Sequence, residues 1–312
     1  MILVDTSHAI FRTLMMNKEQ VKENPEFLSH LLISQILGFA SKLGASKQNK
    51  LVLAIDSTSW RKQYYEDNKK QFPEMQAMTY KGNRVKDQTI DWESVFTVID
   101  ATLTVIKNFT DFYVVKVEDA EADDIIAVLT QEYACKETIW IASSDKDFIQ
   151  LQNTPRVNIY DPLKQAFKPD QNVEMFKKIH TMIGDASDNI PAIKSRLGEK
   201  TALKILKDLD TLLATNPDMR AHYQFNEHLI LFEHIPDEIR NKIIDEFKNQ
   251  TYDYNGMKLL TEFTKLKLVK YTEDINRFKL SENEVKTKLN QHFIENATNT
   301  EMSNRNLEDF FS

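Results

Sequence analysis

Short apolar runs that end in aspartate recur along this chain: ILVD at residues 2–5, LVLAID at 51–56 and TIWIASSDKD at 138–147. Helical patterns lie between them, so the runs read as strands of an open α/β sheet that gathers carboxylates at its carboxyl edge. Further acids follow in EADD (Glu121, Asp123, Asp124) and GDASDN (Asp185, Asp188). With Asp5, Asp56, Asp145 and Asp147 they make nine candidate metal-binding carboxylates. Carboxylates crowded together repel, and burying them unpaired is costly. Divalent cations among them remove the conflict. An oxygen-only set favours Mg²⁺, with Mn²⁺ as a substitute, over zinc. Such a two-metal acidic site is a device for phosphodiester hydrolysis.

The pairs say more than the single acids do. A lone Asp after a strand is commonly a helix N-cap. In EADD, Glu121 and Asp124 share a helix face, with Asp123 joining them only at the helix end. Asp145 and Asp147 can face one way from an extended or turning segment. Capping accounts for one of these groups and not for all.

The 312 residues suit one large or two modest domains. A single cysteine, Cys135, excludes intramolecular disulfides and points to a reducing cytoplasm. It reads as a buried helix residue. No apolar run is long enough to span a membrane. The net charge of −7 would argue against a nucleic-acid partner, but its distribution matters more. Basic residues cluster at Arg61, Lys62, Lys69, Lys70, Lys81, Arg84 and Lys86, and again at Lys194, Arg196, Lys200, Lys204 and Lys207. Either cluster alone could be a solvated face. Together, flanking an acidic site, they suit phosphate tracking.

Strands are expected at 1–6, 50–55, 112–117 and 138–142, with an edge hairpin near 157–160 and 165–168. Helices are expected at 26–44 and 91–109. Residues 57–88 are polar, basic and aromatic, too long for an ordinary α/β connection. They read as a functional insertion, helical in part and mobile. The α/β core is placed at 1–169, and a helical region at 170–294 contains a helix–turn–helix at 184–208. There Gly198 opens a basic helix, which is either a phosphate site or a plain helical hairpin. A polar linker begins at 295. It ends in Asn304, Leu307, Phe310 and Phe311, an apolar plug on a leash suited to docking in a partner's groove. The plain alternative is packing on its own domain.

The order LVD, LAID, EADD, SSDKDFIQL and GDASDNIP resembles the 5′-nuclease family: flap endonucleases, phage 5′-exonucleases and the 5′-nuclease domain of bacterial DNA polymerases. The free-standing phage members of the ribonuclease H type are the most similar. The resemblance implies a mixed, mostly parallel sheet flanked by helices, a helical arch, and a C-terminal helix–turn–helix that often holds K⁺. It implies that Asp5, Asp56, Glu121, Asp123 and Asp145 hold a first cation, and that Asp145, Asp147 and Asp188 hold a second. Asp124 and Asp185 would support them, with action through water open to Asp5 and Asp56. Tyr80–Arg84 (YKGNR) resembles the arch motif, making Lys81 the electrophilic lysine, with Asp123 and Asp145 beside it in the catalytic set. Arg84 would be a second phosphate clamp, and Arg61 or Lys69 competes with Lys81. Tyr80, the two basic clusters and Gly198 would contact DNA. The turn before Gly198 carries Ser195 or Arg196 where the family has a first glycine, which weakens the K⁺ site. The tail resembles a sliding-clamp-binding peptide with Asn304 in place of the usual Gln. The expected substrates are branched or nicked DNA and RNA–DNA duplexes, processed by a monomer, with a single-stranded-DNA-binding protein as a further partner. A phage-encoded member would work in the host cytoplasm. Rival readings are a PIN-type ribonuclease and a non-catalytic clamp adaptor.

Overall fold

The computed structural model describes residues 1–84, 86–251, 254–283, 285 and 287. Strand β1 (Ile2–Asp5) leads directly into helix α1 (Thr6–Met16), followed by α2 (Lys18–Glu23) and α3 (Phe27–Leu43). Then come β2 (Leu51–Ile55), α4 (Trp60–Asn68), α5 (Trp92–Phe109), β3 (Tyr113–Lys116), α6 (Ala122–Tyr133), β4 (Ile139–Ala142), β5 (Val157–Asp161) and β6 (Ala166–Phe167). The remaining elements are helical: α7 (Val173–Ile183), α8 (Glu199–Ile205), α9 (Leu209–Thr215), α10 (Pro217–Ile230), α11 (Asp237–Asn249) and α12 (Gly256–Lys265).

The sheet order is β3-β2-β1-β4-β5-β6, parallel except for the antiparallel pair β5–β6. Strand order therefore reverses between β1 and β4, and a crevice opens at their carboxyl ends. Side chains alternate across the sheet. Ile2 and Val4 face a core built with α1, α3, α5 and α12. Met1 and Leu3 face the other, built with α6 and α11. Burial on both faces explains why the strands read as unbroken apolar runs.

The sequence expectation misses α1 and α2. MILVDTSHAIF reads as one apolar stretch, yet the strand ends at Asp5, whose side chain accepts the His8 backbone N–H and caps α1. The connection 57–88 is seated rather than loose. Tyr65, Phe72, Met75 and Tyr80 pack with Phe225, Leu229 and Ile230 of α10. Cys135 corrects another expectation: it lies just past α6 and is exposed. The four tail residues Asn304, Leu307, Phe310 and Phe311 lie outside the described residues.

Candidate active site

Strand ends place the first acids. Asp5 closes β1, with one carboxylate oxygen capping α1 and the other accepting from Ser143 Oγ at 3.0 Å. Burial pushes its carboxyl up to about 6. Asp56 follows β2 and accepts the Ala122 backbone N–H at 2.7 Å, which ties it to the start of α6. Glu121 stands at the N-cap of α6, just outside the helix whose face the sequence reading gave it with Asp124.

Arg61 of α4 reaches under this helix start. It is 2% exposed, and its guanidinium lies 2.8 Å from Asp124 Oδ1 and 3.3 Å from Glu121 Oε2. Asp124 is wholly buried and also accepts the Glu121 backbone N–H. Arg61 is thus an internal counter-ion, which corrects its expected place on a DNA-facing surface. Tyr80 is corrected in the same way: it is buried, and its hydroxyl donates to Glu121 and to Asp188, each at 3.0 Å. Lys69 is turned inward, pairing with Glu66 and donating to the Met78 carbonyl.

Lys81 sits in the left-handed region with φ 57°. Its ammonium pairs with Glu121 and lies 3.7 Å from Asp188, while Arg84 pairs with the other Asp188 oxygen. Lys81 and Arg61 outweigh burial and hold the Glu121 carboxyl down to about 2. Backbone contacts fasten this turn in place. Lys81 N–H donates to the Asp188 carbonyl, and the Asn189 amide donates to the Thr79 carbonyl, both at 2.9 Å. Gly184 makes the facing turn possible. Its φ is +68°, and a Cβ there would meet the Ile190 carbonyl oxygen at 2.3 Å.

A second group forms where β4 ends. Asp145 accepts the Asp147 backbone N–H at 2.9 Å. Asp147 Oδ1 faces His180 Nδ1 at 3.5 Å, and His180 Nε2 faces Asp185 Oδ2 at 3.3 Å. Burial raises the Asp147 carboxyl to about 6. Asp185 is held well below the ordinary carboxylate range despite its burial, by hydrogen bonds from His180 and Ser187 and by Lys146. His180 was not among the expected site residues. Its signal is faint: a single histidine five residues before Asp185, on the helix that leads into GDASDN.

Two sets of donor atoms converge closely enough to share a cation: Glu121, Asp123 and Asp124, and Asp147, His180 and Asp185, with ligand atoms within 4.8 Å of one another in each set. Buried Asp147 Oδ1 and His180 Nδ1 have no hydrogen-bond partner, so the residues fit divalent cations. Among the basic residues, Lys62, Lys70, Lys194, Arg196, Lys200 and Lys204 are exposed, as is Gly198 at the N-cap of α8. Among the described residues no helix is long and apolar enough to cross a membrane.

Comparison with known proteins agrees with this geometry. Residues 1–180 match the family "5′-3′ exonuclease, N-terminal resolvase-like domain", and residues 187–278 match "T4 RNase H, C terminal". Ribonuclease H of Enterobacteria phage T4 is 28% identical over 305 residues, covering 88% of this chain and 95% of that protein. Flap endonuclease Xni of Shewanella sp. (strain W3-18-1) is 32% identical over 53% of this chain and 60% of that protein. The fold matches a solved structure of T5 5′-exonuclease with bound divalent metal ions (zinc), with a TM-score of 0.53 and 18% identity, over 89% of this chain and 98% of that one. With an acidic edge suited to divalent cations and family matches spanning both its halves, the chain belongs to the 5′–3′ exonuclease and flap-endonuclease family of metal-dependent nucleases.

Proposed function

We propose that the chain removes RNA primers and adjacent DNA from 5′ ends, and cuts 5′ flaps, using two Mg²⁺ ions for which Mn²⁺ can substitute. The supporting observation is the pair of donor clusters, Glu121, Asp123 and Asp124 in one and Asp147, His180 and Asp185 in the other, with Lys81 held against Glu121 and Arg84 against Asp188. When bound, the cations would activate water and stabilise charge on both oxygens of the cleaved bond. Asp5, Asp56, Glu121, Asp123 and Asp145 hold the first in this reading. Asp145, Asp147 and Asp188 hold the second, and Asp124 and Asp185 orient their neighbours.

Lys81 adds positive charge where charge builds on the scissile phosphate. Arg84 clamps the same phosphate. Both leave their carboxylate partners to do so as cations and substrate enter. Lys62 and Lys70 line the arch that admits a free 5′ end. Lys194, Arg196, Lys200 and Lys204, around the Gly198 turn, hold duplex backbone without reading sequence. Arg196, which with Ser195 stands where the family's first glycine is expected, keeps a left-handed φ of 61°, which supports a preserved turn shape. The tail, through Asn304, Leu307, Phe310 and Phe311, docks on a sliding clamp. A monomer working with a single-stranded-DNA-binding protein completes this reading.

The test is Asp145→Asn or Asp188→Asn. Each abolishes cleavage while DNA binding stays measurable. Full activity from either variant contradicts the site assignment.

A further inference from the structure

We propose that His180 is itself a ligand of the second cation, through Nδ1, and that this nitrogen makes the site prefer Mn²⁺ to Mg²⁺. The proposal rests on the two-metal reading above and adds a donor of different chemistry to it.

His180 lies in the last turn of α7 and is 2% exposed, so water does not satisfy its ring nitrogens. Nε2 stands 3.3 Å from Asp185 Oδ2. That carboxylate is itself fixed by the Ser187 backbone N–H at 2.8 Å and hydroxyl at 2.6 Å. With its proton on Nε2, the ring donates to Asp185. The lone pair is left on Nδ1, facing Asp147 Oδ1 at 3.5 Å. Neither of these atoms has a hydrogen-bond partner.

The opposite tautomer leaves Nδ1–H facing Asp147 across 3.5 Å, too far for a good hydrogen bond. It lets Nε2 accept from the Lys146 ammonium, which lies 3.2 Å from both Nε2 and Asp185 Oδ2. A cation at Nδ1 requires the first tautomer, and Lys146 then pairs with Asp185 alone.

Two buried acceptors pointed at each other repel unless a cation joins them. A histidine whose second nitrogen donates to an oriented carboxylate is the usual arrangement of a metal-ligating imidazole. Mg²⁺ takes oxygen ligands and resists losing its waters. Mn²⁺ binds nitrogen more weakly than the later first-row metals do, but it is softer than Mg²⁺ and accepts an imidazole beside carboxylates more readily.

Pulsed electron paramagnetic resonance on the full chain loaded with Mn²⁺ tests this directly. Wild type shows ¹⁴N coupling to Mn²⁺, and His180→Gln loses it. Among the described residues, another imidazole near these acids is His8, whose Nδ1 lies 3.7 Å from Asp5 Oδ2, so His8→Gln should retain the coupling. Mn²⁺ affinity falls about tenfold or more in His180→Gln, and Mg²⁺ affinity falls by less. Bound Mn²⁺ without nitrogen coupling in wild type overturns the proposal and leaves the two-metal reading standing. So does coupling lost in His8→Gln, a result that does not depend on whether His180→Gln folds. A wild-type protein that binds no Mn²⁺ overturns both.

Discussion

Arg61 and Asp124 form a buried ion pair, with Nη2 2.8 Å from Oδ1, that joins helix α4 to the first turn of α6. One guanidinium serves both Asp124 and Glu121, so it sets the spacing of the acids at this helix end. Removing one partner of a buried pair leaves an uncompensated charge. Arg61→Ala therefore destabilises the protein by about 3–5 kcal/mol. Urea unfolding with EDTA present measures this. A change within about 0.5 kcal/mol contradicts an internal role.

Lys81 carries a different expectation. Its ammonium contacts the acids through a short turn fastened to residues 186–189 and contributes little to the core. Lys81→Ala lowers the single-turnover cleavage rate by roughly 10²–10³-fold, the usual loss for one donor to developing charge. Affinity for a flap substrate in Ca²⁺ changes little. A variant with normal single-turnover cleavage removes Lys81 from the chemistry.

The pH dependence follows from Asp5 and Asp147, both raised to about 6 by burial. Their unfolded values lie near the ordinary carboxylate value of about 4. Between those values the folded protein holds the extra protons, so stability from these groups is present at low pH and falls as pH rises through about 6. Cations bind only the ionised carboxylates and offset that loss. The melting-temperature gain from Mg²⁺ over EDTA should be largest above about pH 7 and shrink below about pH 6. A gain that is constant with pH contradicts the placement of these two acids at a cation site.

Much of this was legible because strands buried on both faces leave long apolar runs, and the acids that end them stand out. The sheet and the helices at 27–43 and 92–109 follow from that pattern. What stayed hidden depended on contacts far apart in sequence. Nothing local marks Arg61 as internal, because its partners are about sixty residues away. Tyr80 looks like an aromatic in a basic stretch until its hydroxyl meets Glu121 and Asp188. His180 resembles any histidine on an amphipathic helix, and its role depends on Asp147 lying across from it. Helix α1 was missed because the apolar residues on either side of Asp5–His8 were read as one segment, although that polar stretch holds the cap of the helix.

Cleavage of a 5′-labelled RNA–DNA primer on a DNA template, beside a 5′-flap substrate, tests the central claim most directly. The account predicts short 5′ products in Mg²⁺ from both substrates and none in EDTA. Binding without cleavage in both Mg²⁺ and Mn²⁺ would contradict it and favour a non-catalytic adaptor.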